Sequence, residues 1–247
     1  MEKMSIIFPV YNEEKRLEHG VTETIRFLKS ISYEDYEIII ADNASLDKTP
    51  EVAQELRNKY DKVKYIRLQE KGVGVAFRAG VKESKYPIVG YMDVDLSTDI
   101  THLRDVFTIF DEKPETEIVN GSRQNKKSVM KGRKWYRVLT SHGLTWLLKL
   151  SLGLKATDAI CGFKFFRRDT VTRLMSSIEY EDPSWFYVIE LLLRAERSGV
   201  KIYELPVRWQ DDYRTTVNVR KQIRDYCVQI IRLRRTFRKE KKMRKKI

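Results

Sequence analysis

Apolar residues follow two alternating rhythms along the first 122 positions. Short continuous runs read as buried strands: Ser5-Ile-Ile-Phe-Pro-Val, Tyr36-Glu-Ile-Ile-Ile-Ala-Asp, Val63 to Leu68, Pro87 to Asp93, and Glu117-Ile-Val-Asn-Gly-Ser. Between them, helical patterns cover Glu13 to Ile31, Thr49 to Tyr60, Val73 to Ser84 and Thr101 to Phe110. Continuous apolar strands separated by helices predict an α/β domain on a mainly parallel, Rossmann-like sheet with helices on both faces. Ligands of such sheets bind outside the carboxyl ends of the strands. Three of those ends are polar here: Tyr11-Asn12-Glu13, Asp42-Asn43, and Asp93 with Asp95.

The second half is less regular. Trp185 to Ser198 reads as a buried helix and Lys201 to Trp209 as a strand. Trp135 to Leu154, apolar but broken by Lys149, suits either core or a helix lying in a membrane interface. From Asn218 onward, Val219, Ile223, Tyr226, Cys227, Ile230, Ile231, Leu233 and Phe237 recur at near-helical spacing and run into a basic tail. A basic amphipathic helix of this kind meets a membrane surface or a partner. The expected division is therefore an α/β domain over 1–217 and a membrane-associating helix and tail over 218–247.

Charge sharpens this picture once it is located. Of the net +13, residues 232–247 carry +9, so the rest of the chain is only mildly basic. A second basic run, Arg123 to Arg137, holds seven Lys/Arg and no acid. Nucleic-acid binding predicts a more distributed footprint with exposed aromatics. Two localised patches fit a phosphate pocket and an anionic membrane surface instead. Cys161 and Cys227 have neither metal-ligand spacing nor a disulfide framework, which points to a reducing, cytoplasmic setting. Met1-Glu-Lys leads directly into a strand-like run, so no signal peptide is expected, and no apolar stretch is long enough to span a bilayer. Peripheral attachment at the cytoplasmic face is the expectation.

The chemistry concentrates at Met92-Asp93-Val94-Asp95-Leu96. Where a strand breaks into a loop, two acids one residue apart can both turn toward one hard cation. Thiolate-free oxygen sites suit Mg²⁺ or Mn²⁺, which share themselves with a substrate's phosphates. A solvated loop after an edge strand is the plainer alternative.

Taken in order, the motifs resemble the family 2 glycosyltransferases of GT-A fold, and within them the polyprenyl- or dolichyl-phosphate sugar synthases. The resemblance covers about residues 4 to 225. It is carried by Phe8-Pro-Val-Tyr-Asn-Glu-Glu, Ala41-Asp-Asn-Ala-Ser-Leu-Asp-Lys-Thr, Lys71-Gly-Val-Gly, Asp93-Val-Asp, Gly121-Ser-Arg, and Asp158-Ala-Ile-Cys-Gly-Phe-Lys-Phe-Phe-Arg-Arg. It implies that Pro9, Tyr11, Glu13 and Asp42 hold the donor's base and ribose. Lys71 would approach its phosphates, with Gly72 and Gly74 allowing close backbone approach. Asp93, Val94 and Asp95 complete the donor site, and Asp93 and Asp95 bind the cation, with Ser97 at the third-ligand position. Arg123, Arg137 and Ser141 match acceptor-phosphate positions. Where relatives often carry a phosphate-binding lysine, this chain has Arg214 nearby. Catalysis would rest on Asp93, Asp95 and Arg123.

The implied reaction is inverting transfer of a hexose or N-acetylhexosamine from a nucleotide-diphosphate sugar to dolichyl or polyprenyl phosphate. A UDP-sugar is favoured as donor and GDP-mannose is the runner-up. A lipid phosphate is already a nucleophile and needs cations rather than a base. Transfer to a sugar hydroxyl is the rival within enzymes; it needs a general base, which Asp158 would supply. A non-catalytic membrane-surface or RNA-binding scaffold is the rival of another class, and it has no use for three polar strand ends.

Overall fold

The computed structural model describes residues 2–133, 135–211 and 219–244. Its first half follows the expected alternation: β1 (Met4–Val10), α1 (Leu17–Ser30), β2 (Tyr36–Asn43), α2 (Thr49–Lys59), β3 (Val63–Leu68), α3 (Val73–Glu83), β4 (Ile88–Met92), α4 (His102–Glu112) and β5 (Ile118–Ser122). The second half contains β6 (Val129–Lys131), α5 (Trp135–Leu152), β7 (Phe163–Arg167), α6 (Arg168–Ser176), α7 (Phe186–Arg197), β8 (Ile202–Pro206), β9 (Arg208–Gln210) and α8 (Val219–Arg244).

Seven strands form one sheet in the order β3-β2-β1-β4-β7-β5-β8, and β6 and β9 form a separate parallel pair. The sheet is parallel except for β7, which runs antiparallel between β4 and β5. The sequence pattern did not reveal β7 or α6, because the strand carries Lys164 among its phenylalanines. That lysine is 1% exposed, and its ammonium donates to the Cys161 carbonyl at 2.5 Å. The run from Lys201 to Trp209 also divides. Only β8 joins the main sheet, and after Val207 the chain crosses to β9.

Strand alternation sorts the core into two layers. Ile6, Phe8, Ile38 and Ile40 pack with Leu17, Val21, Ile25 and Leu28 of α1 and Leu103, Val106, Phe107 and Phe110 of α4. Ile7, Ile39, Ala41, Val89 and Tyr91 pack with Phe77 of α3, Val171 of α6 and Tyr187, Val188 and Leu191 of α7. Every residue of β1 except Pro9 and every residue of β2 is buried. Each fully buried side chain of this size contributes roughly 1.5–3 kcal/mol.

A third cluster lies beyond the sheet. It joins Leu148 and Leu152 of α5, Phe186, Ile189, Leu192 and Leu193 of α7, and Tyr226, Ile230, Leu233 and Phe237 of α8. The apolar stripe of the tail helix is therefore turned into the protein over this stretch. Val228 and Ile231 of the same helix are exposed, and the side chains of Val219 and Ile223 lie outside the described residues. Ion pairs lock α8 in place: buried Glu190 meets Arg194 at 2.9 Å and Arg232 at 2.6 Å, and Glu240 meets Arg194 at 3.0 Å. Among the described residues no helix is long and apolar enough to cross a membrane.

Candidate active site

From β1 the sheet runs to β2 on one side and to β4 on the other, a topological switch point of the sort where α/β sheets bind ligands. A cleft of about 710 Å³ opens there. It is lined by Pro9, Tyr11, Glu13, Lys71, Asp93, Val94, Asp95, Ser97, Arg123, Arg137 and Ser141, which brings together nearly every residue the sequence nominated. Two nominations differ. Asp42 is fully buried behind the wall, where its carboxylate accepts from Ser45 N–H at 2.9 Å and Tyr65 Oη at 3.1 Å. Arg214 lies outside the described residues.

On the donor side, the loops after β1 and β2 are stitched together. Asn12 N–H donates to Ser45 Oγ at 2.9 Å and Leu46 N–H to Asn12 Oδ1 at 2.8 Å, while Asn43 Nδ2 reaches the Val10 carbonyl at 2.7 Å. Asn12, Ala44 and Leu96 hold left-handed φ of 56°, 66° and 52° in the turns that follow β1, β2 and β4. Non-glycine residues in that region are strained, and such strain gathers where a site is held in shape. Lys71 Nζ stands 3.5 Å from the centre of the Tyr11 ring, close enough for a cation–π contact. Glu13 receives Arg16 through Nε at 2.6 Å and Nη2 at 2.9 Å.

The glycines after Lys71 also allow a close backbone approach within the protein itself. Gly72 has φ 154°, and a methyl group on it would lie 2.0 Å from the Pro183 carbonyl oxygen. Gly74 N–H donates to that same oxygen at 2.8 Å. This approach is to the loop ahead of α7, which brings Pro183, Ser184 and Trp185 into the cleft wall, where Gly72 also lies.

Asp93 follows the last residue of β4, and its N–H donates to the Gly162 carbonyl at 3.0 Å. A methyl group at position 162 would lie 2.0 Å from Asp93 Oδ2, so glycine there makes room for the carboxylate. Burial first and Asp95 second push the Asp93 pKa up to about 8, against a downward pull from Arg123 and Lys164. Among the described residues no group donates a hydrogen bond to its carboxylate. Asp95 accepts from Ser97 N–H at 2.9 Å, which curls the turn. No cluster of three or more His, Cys, Asp or Glu exists among the described residues. Two carboxylates and a serine nevertheless fit a hard cation that takes its remaining ligands from phosphates and water.

On the opposite side of the cleft, the acid-free basic run is not free of acids in space. Arg123 binds Asp158 bidentately, Nε to Oδ2 at 2.7 Å and Nη2 to Oδ1 at 3.0 Å, and adds its backbone N–H to Oδ2 at 3.1 Å. Asp158 also accepts from Ile160 and Cys161 N–H groups. Burial would raise its pKa, but the Arg123 guanidinium overcomes burial and holds the carboxyl well below the usual range. Asp158 is fully buried, bonded by Arg123 at both oxygens and absent from the cleft lining, whereas a general base for a hydroxyl acceptor has to reach into the cleft. Arg137 in turn gives Nη1 to both oxygens of Asp211, at 2.6 and 2.8 Å. Ser141 donates to its own helix at Val138 O, 2.9 Å away. The guanidiniums of Arg123 and Arg133 both lie against Trp209, 5.6 and 5.1 Å from the ring centre.

Arg16, Trp185, Trp209 and Asp211 line the cleft without having been nominated as site residues, and Asn43 and Arg133, noted in a polar strand end and in the basic run, line it without having been given a role. Trp209 and Asp211 stood beside a noted strand, but only the β6–β9 pairing brings them opposite the basic run.

Comparison with known proteins accords with this geometry. Residues 5–174 match glycosyl transferase family 2. The glycosyltransferase AglD of Haloferax volcanii is 31% identical over 232 residues, 93% of this chain and 36% of AglD. Human dolichyl-phosphate beta-glucosyltransferase is 32% identical over 222 residues, 85% of this chain and 68% of the human protein. The chain thus spans about a third of one relative and about two thirds of the other. Among solved structures, glucosyl-3-phosphoglycerate synthase from Mycobacterium tuberculosis with Mn²⁺, UDP and phosphoglyceric acid superposes with TM-score 0.68 at 17% identity, covering 94% of this chain and 78% of that one. Its complex with Mn²⁺, UDP-glucose and glycerol 3-phosphate gives TM-score 0.65 at 18% identity, covering 93% and 78%. The mixed sheet flanked by helices is the GT-A fold, and the chain belongs to glycosyl transferase family 2.

Proposed function

We propose that this chain transfers a hexose, glucose from UDP-glucose first among the candidates, to a dolichyl or other polyprenyl phosphate. The observation that carries this is the composition of the cleft: a carboxylate pair on one side, arginines around Trp209 on the other, and Asp158 buried against Arg123 outside the lining. A phosphate monoester is largely dianionic at neutral pH by analogy with phosphoserine. Its oxygen attacks the anomeric carbon as the bond to the nucleoside diphosphate breaks, and no proton has to be removed from it. The names of the relatives support the acceptor, and the UDP-glucose complex of the structural neighbour supports the donor class. GDP-mannose stays the second donor to test.

Asp93 and Asp95, with Ser97 beside them, are the residues that would hold Mg²⁺ or Mn²⁺. Such an ion neutralises the departing diphosphate. Lys71 and Tyr11 line the donor half, and among the described residues no side chain makes an ion pair with Asp93, which leaves its carboxylate open to a cation.

The chain meets its lipid at a membrane surface through α5. Arg137, Ser141 and Leu144 of that helix line the cleft, while Trp135, Leu139, Trp146 and Leu150 form an exposed row on another of its faces. Trp135, Leu139, Trp146 and Leu150 fall within about 60° of one another on a helical wheel. An apolar row with two tryptophans, beside the basic α8, suits peripheral binding to anionic lipid at the cytoplasmic face.

The test is a transfer assay with Mn²⁺, a short polyprenyl phosphate, and radiolabelled UDP-glucose, UDP-N-acetylglucosamine or GDP-mannose in parallel. Label from UDP-glucose should enter an organic-soluble product that mild acid releases. Transfer only to a free sugar hydroxyl would overturn the reading.

A further inference from the structure

Besides Arg16 beside Glu13, the cleft holds three arginines, Arg123, Arg133 and Arg137, and their partners separate them. Arg123 is spent on Asp158 and Arg137 on Asp211, so each forms a neutral pair. Arg133 has no carboxylate within ion-pair distance among the described residues. Its Nη2 meets only the Arg137 carbonyl, at 3.3 Å, and its Nη1 only the Met130 sulfur, at 3.8 Å. Its Nε is buried and has no hydrogen-bond partner among the described residues. Burial first, and the nearby Arg123 second, pull its pKa down to about 10.

A buried guanidinium donor without an acceptor is costly, and native proteins rarely keep one without a use for it. The fold holds it in position nonetheless. The β6 strand that leads to Arg133 pairs in register with β9, Met130 against Trp209, and the Trp209 ring lies under the guanidinium. Asp211 N–H donates to the Lys131 carbonyl at 3.1 Å and fixes the other end of the same pairing. A planar fork backed by an aromatic ring and facing a cleft is suited to bidentate binding of a phosphate.

We propose that Arg133, backed by Trp209, is the residue that receives the phosphate of the acceptor, while the Arg123–Asp158 and Arg137–Asp211 pairs shape the site without adding net charge. The ligand class is a phosphate monoester. The inference rests on the lipid-phosphate reading above, and it shifts the main phosphate contact from the two arginines that the family resemblance nominated to one that it did not.

The experiment uses the full chain with farnesyl phosphate as probe, read two ways: steady-state transfer from UDP-glucose, and calorimetric binding of farnesyl phosphate without donor. Arg133→Met should raise the acceptor KM and weaken binding at least tenfold, with the UDP-glucose KM within twofold of wild type. Arg133→Lys, which keeps the charge and loses the fork, should fall between. A change below threefold in Arg133→Met at unchanged melting temperature overturns the proposal. So does an equal rise in both KM values, which would make Arg133 a donor-side residue. If Arg133→Met does not fold, Arg133→Lys decides: a rise of threefold or more supports the assignment and none refutes it. Inorganic phosphate and farnesol as competitors show whether the headgroup or the chain is recognised. Should wild type bind farnesyl phosphate through Arg133 yet fail to transfer sugar to it, the function falls and the phosphate site stands. If it binds no phosphate monoester, the proposal falls.

Discussion

The two sides of the cleft are built by different means. The proposed donor side comes from the first half of the chain, where cleft residues sit at or just after strand ends: Tyr11 after β1, Asn43 at the end of β2, Asp93 after β4. The acceptor side is assembled across long sequence separations, with Arg123 meeting Asp158, Arg137 meeting Asp211, and both Arg123 and Arg133 meeting Trp209. On the donor side charges are left unbalanced until a ligand arrives, as with Asp93 beside Asp95. On the acceptor side most charges are already balanced. On the proposed function, a site for a cation and its diphosphate would sit opposite one whose specificity rests on the few charges left unpaired.

The largest effect should come from the unbalanced side. Asp93→Asn or Asp95→Asn is expected to lower transfer by at least about 10³-fold, the scale of losing charge stabilisation at a reacting centre. Asp93→Asn should not lower the melting temperature, because it removes a buried carboxylate that burial and Asp95 already disfavour. Wild type treated with EDTA should lose activity to a similar degree and regain it with Mn²⁺. Activity that survives both the substitution and the chelator would mean that the carboxylate pair has no catalytic role.

Next comes the contact that makes room for Asp93. Gly162→Ala puts a methyl group where the carboxylate lies, 2.0 Å from Oδ2, and Asp93 must turn away. A misplacement of about 1 Å costs on the order of 10²-fold in rate. The expected signature is a fall in kcat with weaker Mn²⁺ activation, and only a modest loss of stability. Wild-type kinetics in this variant would show that Asp93 has freedom to move and that the fit is incidental.

This contrast also explains what the sequence could and could not disclose. Strand periodicity and the polar residues at strand ends are local signals, so the order of elements through β5 and the donor wall could be read directly. Helix starts were less clear: α1 begins at Leu17 rather than near Glu13, because Glu13 to Arg16 form a turn closed by their own ion pair. The insertion of β7 antiparallel to its neighbours leaves no mark in a run where Lys164 interrupts the apolar pattern. The run of seven cations was legible as a charge cluster, but which of them keep a free charge depends on acids 35 and 74 residues away. The tail helix reads as amphipathic from its spacing, and spacing cannot tell a stripe that faces lipid from one that faces α5 and α7.

The balanced side should reveal itself in stability more than in rate. Arg123→Met leaves Asp158 buried with an unmatched charge, and Asp158→Asn does the same to Arg123. Each is expected to cost about 3–5 kcal/mol, and the double variant clearly less than the sum. Because the Asp158 pKa is held below its unfolded value, its contribution is complete above about pH 4 and is lost as the pH falls further. Denaturant melts of wild type across pH 3 to 7 should lose more stability on acidification than melts of Asp158→Asn. Additive single-variant losses would show that the pair is not coupled, and the claim that acceptor-side charges are pre-balanced would fall with it.

The smallest effect on the folded protein should come from the exposed row on α5. Trp146 and Leu150 are 64% and 70% exposed, so changing them to Glu removes little packing and should leave the melting temperature nearly unchanged. Burying such a side chain in a bilayer interface contributes up to about 1.5–3 kcal/mol, so each change should weaken binding to anionic vesicles about tenfold. The α8 helix gives the opposite pattern. Leu233 is fully buried against α5 and α7, and Leu233→Ala should cost about 2–5 kcal/mol of stability while leaving the vesicle-binding face in place. Neutralising the exposed Arg234, Arg235, Arg238 and Lys239 on the same helix should reduce vesicle binding by roughly 1 kcal/mol per charge at low salt and by much less at high salt. Vesicle sedimentation of these variants separates an apolar contact through α5 from an electrostatic one through α8. If Trp146→Glu and Leu150→Glu sediment like wild type while the charge variants do not, the membrane is met by the tail alone.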